Sequence, residues 1–176
     1  MLAMLKVKTK AKCHQGVTYL ELLVVLSLMA TLGFVGLPAM DLMLQKNKLN
    51  TMLQQYESAL AMAKVMALNA GQYVVFCPMS GSNNCSGNWQ DAKLLFVDGN
   101  NNGSLEQQEK VILRLEPSSL VASNRKQIRF SPINLADNTT ASIRFCSSQY
   151  QQLNRAIVIS NVGRIRVEKD ANKVKC

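Results

Sequence analysis

Polar and apolar positions divide the chain into stretches of different period. Up to Gly16 the sequence is basic, with Lys6, Lys8, Lys10 and Lys12. From Val17 to Leu37 it is apolar almost throughout, with one acid, Glu21, near the start. Beyond that the apolar residues narrow to a stripe. Leu42, Leu49, Leu53, Tyr56, Leu60, Ala63 and Ala67 recur at steps of three, four and seven. The pattern predicts one helix over about 18–69, apolar all round at first and amphipathic later, with Asn69-Ala70-Gly71 as its C-cap. Gly33, Gly36 and Pro38 predict a bend or local melting, because proline removes a backbone donor. Met43, Met52, Met62 and Met66 read as packing residues.

From Gln72 the period changes to two. Tyr73–Cys77, Leu94–Val97, Val111–Leu115, Gln127–Phe130, Ser142–Cys146, Ala156–Ser160 and Arg164–Val167 are candidate strands. They are rich in β-branched or aromatic residues and separated by Gly, Asn, Ser and Pro turns. The expected fold class is α+β: a long N-terminal helix on a C-terminal antiparallel β-domain, read as two sheets. The expected segments are a leader over 1–16, an apolar helix over 17–41, its amphipathic half over 42–70 and the β-domain over 71–176. Trp89 reads as a core anchor.

The N-terminal order is the reverse of a secretory signal, in which the cleavage site follows the apolar core. Here the candidate cut, after Gly16, precedes it, so cleavage leaves the apolar run at the new N-terminus. Gly16-Val17-Thr18-Tyr19-Leu20-Glu21-Leu22 resembles the leader junction of type IV pilins and type II secretion pseudopilins, usually Gly-Phe-Thr-Leu-Ile/Val-Glu-Leu. Gly16, Thr18, Glu21 and Leu22 match; Val17 and Tyr19 depart. A carboxylate inside an apolar helix costs about 2.5–3.5 kcal/mol on insertion scales. The resemblance implies a use for it: Glu21 pairs with the free amine of Val17 during filament assembly. It also implies cleavage after Gly16 by prepilin peptidase, N-methylation of Val17, and residence in the bacterial inner membrane as a single-pass subunit, then in the periplasm and a surface pilus.

Composition then narrows the chemistry. The chain has 176 residues, enough for an anchor and one modest domain. Losing the leader's four lysines lowers the net charge of +9 to near +5 and removes His14, the single histidine. The mature chain then lacks the commonest general base and metal ligand. No Gly-x-Ser-x-Gly or phosphate loop appears. The expectation is a protein that is not an enzyme and needs no cofactor. Cys13 leaves with the leader, and Cys77, Cys85, Cys146 and Cys176 remain. Three connectivities are open; Cys77–Cys85, closing a small loop, and Cys146–Cys176, stapling the tail, are favoured in an exported domain. No C-x-x-C pair argues for zinc. Asp98, Asn100, Asn102, Gly103 and Glu109 fit the formal spacing of a calcium loop, but strand-like runs flank them, so a β-turn is the simpler reading.

Charge is concentrated at the C-terminal end. From Leu120 onward ten cations (Arg125, Lys126, Arg129, Arg144, Arg155, Arg164, Arg166, Lys169, Lys173 and Lys175) stand against Asp137, Glu168 and Asp170. In Ile128-Arg129-Phe130 and Ile143-Arg144-Phe145 the apolar pair faces inward and the arginine outward. In Gly163-Arg164-Ile165-Arg166-Val167, Arg164 and Arg166 share the outer face, roughly 7 Å apart by strand rise, near the phosphate spacing of a nucleic-acid strand. Asn161-Val162-Gly163 supplies a turn whose amides lie near that anion path. A solvated basic face is the plain alternative.

The whole chain, and Gly163-Arg164-Ile165-Arg166 near a C-terminal cysteine in particular, is similar to the FimT branch of the FimT/GspH minor pilin family. There a Gly-Arg-x-Arg motif carries DNA binding for natural transformation. The resemblance implies Gly163, Arg164 and Arg166 as the binding core. Arg144, Arg155, Lys169, Lys173 and Lys175 are the candidate supporting cations. It also favours the plain turn at Asp98–Glu109. Expected partners are double-stranded DNA, bound through phosphates and weakened by salt, and other major and minor pilins. The alternative function is a structural minor pilin or secretion pseudopilin that primes assembly without binding DNA.

Overall fold

The structure, a computed structural model, describes residues 16–81, 83–133 and 140–176, with the side chains of 35–39 left aside. The leader up to residue 15, with its lysines, Cys13 and His14, lies outside the described residues, as does Asp137. The chain divides into two compact units, Met1–Asp41 and Leu42–Cys176.

One helix, α1, spans Tyr19–Ala70. Thr18 starts it: its Oγ1 accepts from the Glu21 amide at 3.3 Å, and its carbonyl oxygen accepts from the Leu22 amide. Thr18 and Glu21 have the Thr-x-x-Glu spacing of a capping box. An acid in the first turn also suits the positive end of the helix dipole. Through the first unit Leu26, Leu28, Met29 and Leu32 are exposed. Among the described residues no helix is long and apolar enough to cross a membrane. Pro38 and Gly36, where the bend is expected, belong to the side chains not described.

In the second unit one face of α1 enters the core. Leu49, Tyr56, Ala59, Leu60, Ala63 and Ala67 are buried, while Leu42, Leu53, Met52 and Met66 pack at its margin. Small Ala59, Ala63 and Ala67, one turn apart, bring the helix axis close to the sheets. Met43 and Met62 are exposed, which corrects their reading as packing residues: they fall on the opposite side of the same helix. Gly71, with φ 65°, ends α1 in the left-handed conformation that glycine adopts freely.

Eight strands follow among the described residues: β1 Tyr73–Met79, β2 Ala92–Asp98, β3 Val111–Leu115, β4 Val121–Ser123, β5 Ile128–Phe130, β6 Ala141–Phe145, β7 Arg155–Ile159 and β8 Ile165–Glu168. They form two antiparallel sheets, ordered β3-β2-β1-β5 and β4-β6-β7-β8. The fold is thus the expected α+β arrangement of a helix and two sheets. Tyr56 joins the layers, its ring edge-on to Phe76 of the first sheet and Phe145 of the second. Trp89 is buried against Phe76. Burial pushes the Tyr56 phenol pKa well up.

Disulfides join Cys77 to Cys85 and Cys146 to Cys176, the two favoured pairs. The Asp98–Glu109 segment is a turn that satisfies itself. Asp98 accepts from the Asn102 and Gly103 amides, and Glu109 from the Gly99 and Glu106 amides. The four carboxylate oxygens therefore already face N–H donors. Among the described residues no cluster of metal-ligating side chains appears.

Candidate nucleic-acid interface

The outer face of the second sheet is set by register. Ser142 lies opposite Val158, and Arg144 opposite Ala156. On the other side of β7, Arg166 lies opposite Val158 and Glu168 opposite Ala156. Ile157 and Ile159, at the alternate positions, are buried in the core. Alternation therefore puts Arg144, Arg166 and Glu168 on the side away from the core.

The β7–β8 turn places Arg164 on that side too. Gly163 has φ 71°, a conformation costing an L-residue roughly 1–2 kcal/mol. Its amide donates to the Ser160 carbonyl at 2.9 Å, and the Ser160 amide donates to the Arg164 carbonyl at 3.0 Å. This is a three-residue hairpin loop closed by a glycine bulge. Ser160 Oγ accepts from the Arg164 amide at 3.1 Å, and Lys64 Nζ of α1 donates to the Gly163 carbonyl at 3.5 Å. Gly163 thus sets the register in which the two arginines project. The Gly163 amide is engaged within the turn, which corrects its expected place near an anion path, and the Arg164 amide is engaged there as well.

Two adjoining hollows cover this face. One is lined by Thr140, Val158, Ser160, Arg164 and Arg166. The other is lined by Asn124, Ser142, Arg144, Ala156, Val158, Arg166, Glu168 and the tail residues Lys173, Val174 and Lys175. They share Val158 and Arg166, so they form one continuous trough. Its floor is made of short side chains, and five cations rim it. Arg164, Arg166, Lys173 and Lys175 are exposed and Arg144 is half-buried. Among the described residues neither the Arg164 nor the Arg166 guanidinium has an ion-pair partner. Lys173 stands 3.8 Å from Asp170 in an exposed pair, which is weak by position. Glu168 is the acid in the trough; its Oε1 accepts from the Asp170 amide at 3.2 Å.

Two residues that the sequence groups with these lie at the trough's margin or beyond it. Arg155 shares the parity of Ile157 and Ile159, and its Nη1 donates to the carbonyls of Gln152 and Asn154 at 3.0 and 2.7 Å. Lys169 lines a hollow beside Asn50, Gln54 and Glu57 of α1, which meets the trough at Arg166. At the other end of the chain Gly16, Val17 and Glu21 are exposed. The arrangement offers cationic donors to a linear polyanion, with hydroxyls of Ser160, Ser142 and Thr140 between them. Among the described residues no aromatic side chain lines the trough, so base stacking has no platform from them there.

The family model described as Type II transport protein GspH matches residues 53–163. None of the curated proteins compared matches the chain. Among solved structures, a crystal of the type IV minor pilin FimU of Pseudomonas aeruginosa (strain PAO1) in space group P21 aligns with a TM-score of 0.56 at 14% identity. The alignment covers 74% of this chain and 95% of that one. A second FimU crystal, in space group P65, gives 0.51 at 16% identity, covering 74% and 94%. At these identities the likeness is one of fold.

Proposed function

The chain belongs to the GspH family of type II transport proteins, and on that premise we propose that it is a minor pilin that binds DNA. The trough on the second sheet takes the phosphates of extracellular double-stranded DNA during natural transformation. The observation that carries this reading is the shared outward face of Arg164 and Arg166, both free of ion-pair partners among the described residues. Such a site reads charge, not sequence, and weakens steeply with salt. Non-specific sites of this kind bind at roughly 10⁻⁴–10⁻⁶ M, and many copies on one filament would raise the effective affinity.

The N-terminal part fits the same reading. Prepilin peptidase cuts after Gly16, Val17 becomes the methylated N-terminus, and Glu21 pairs with an N-terminal amine as the subunit joins other pilins. Before assembly the apolar segment anchors the subunit in the inner membrane. The exposed apolar side chains of α1 support this, since surface of that kind needs lipid or another subunit to cover it. The assembled protein sits in a pilus at the cell surface.

The family description favours one other reading: a structural pseudopilin that primes a secretion filament and binds only protein. On that reading Arg164 and Arg166 merely guard an edge strand, because cations on a sheet edge discourage strand addition. Retardation of labelled duplex DNA by the purified protein separates the two. DNA binding lost in R164Q/R166Q supports the first reading; no retardation by the wild type at low salt supports the second.

A further inference from the structure

The chain ends by folding back against the outer face of the second sheet. After one 3-10 turn over Ala171–Lys173 it runs to Cys176, bonded to Cys146 just beyond β6. Val174 in this tail is buried, while Lys173 and Lys175 on either side of it are exposed. The buried valine turns both ammonium groups away from the sheet. A second tie holds the tail: Arg144 Nη1 donates to the Lys175 carbonyl at 2.6 Å. Arg144 Nε, by contrast, is buried and has no hydrogen-bond partner. The Arg144 side chain also lines the trough, so its positive charge lies beside any phosphate held there.

We propose that the disulfide-anchored tail is the second arm of the nucleic-acid site. One sugar–phosphate strand is gripped by Arg164, just before β8, and Arg166 within it, and by Arg144, Lys173 and Lys175 from the tail side. This rests on the DNA-binding reading above and adds a positioning role for Cys146 and Cys176. An untethered segment would have to be ordered when DNA binds, and the disulfide meets that entropy cost beforehand. The Lys175 carbonyl also ties the Arg144 guanidinium to the tail.

The test is the salt dependence of duplex binding, measured on the full-length protein in a neutral detergent. Each phosphate contact contributes about 0.9 to the slope of log K against log salt. C146S/C176S and K173Q/K175Q should each lower the slope by about two and weaken binding roughly tenfold at moderate salt. K173Q/K175Q keeps the disulfide and should melt like the wild type, so its loss cannot come from unfolding. If K173Q/K175Q binds with the wild-type slope and affinity, the tail is no part of the site and the proposal is overturned. Loss of binding in R164Q/R166Q would then leave the DNA-binding reading standing. A wild type that binds no DNA removes both.

Discussion

Arg144, in the middle of the second sheet, donates from Nη1 to the carbonyl of Lys175 at 2.6 Å, across thirty-one positions of sequence. That bond commits one edge of its guanidinium. Arg155 is committed more fully, to two backbone carbonyls. Arg164 and Arg166 keep their guanidinium groups unpaired among the described residues. Four similar-looking arginines in the sequence thus have different amounts of donor capacity left for a ligand. Arg164 and Arg166, which have the most, carry the functional reading.

Replacing Gly163 with alanine tests how that pair is aimed. A Cβ in the left-handed region costs about 1–2 kcal/mol, and relief of the strain would shift the hairpin register. G163A should melt several degrees lower and bind DNA more weakly than its stability loss alone explains. Urea denaturation and duplex binding on the same preparation check this. Wild-type values for both would mean that the glycine does not set the register.

Lys93 gives the domain a pH dependence. It is buried in β2 with no hydrogen-bond partner, 5.8 Å from the centre of the Tyr56 ring. Burial pushes its pKa down to about 8 from 10.5, with Asp91 opposing part of the shift. The folded state therefore disfavours the ammonium form. The penalty is full below about 8 and shrinks as pH rises to 10.5, so this residue makes stability rise across that window. K93M should remove the rise and stabilise the domain by about 1–3 kcal/mol at neutral pH. Urea midpoints at pH 7 and pH 10 distinguish this from a lysine that titrates alike in both states.

The Asp98–Glu109 turn should be indifferent to calcium. Its carboxylate oxygens already accept from four backbone amides, which a cation would have to displace. Millimolar calcium should leave the melting temperature unchanged, whereas D98A should cost about 1–3 kcal/mol by orphaning the Asn102 and Gly103 amides. A clear rise in melting temperature with calcium would restore the metal-loop reading.

Periodic features are the ones legible before the fold is seen. Tyr56, Leu60, Ala63 and Ala67 announce the buried helix face through their spacing, and Ile143–Arg144–Phe145 announces its sheet face by alternation. Features made by long-range partners are not. Val121–Ser123 is too short to alternate and becomes a strand because β6 offers it hydrogen bonds. The turns at Gln151–Leu153 and Ala171–Lys173 likewise follow no apolar period. Charge misleads at Arg155, whose strand parity matches the core residues while nearby carbonyls satisfy its guanidinium. The Thr18–Glu21 spacing is a local signal for the start of α1, readable from sequence as a capping box. The trough could be foreseen only in part: parity aligns Arg164 with Arg166, but the disulfide brings Lys173 and Lys175 beside them.

The most direct test is duplex DNA binding by the Leu42–Cys176 unit, which carries its own core, at two salt concentrations and with R164Q/R166Q alongside. The account predicts retardation at low salt, steep loss at higher salt, and no retardation by the variant at an unchanged melting temperature. Equal retardation by the folded variant and the wild type would contradict it.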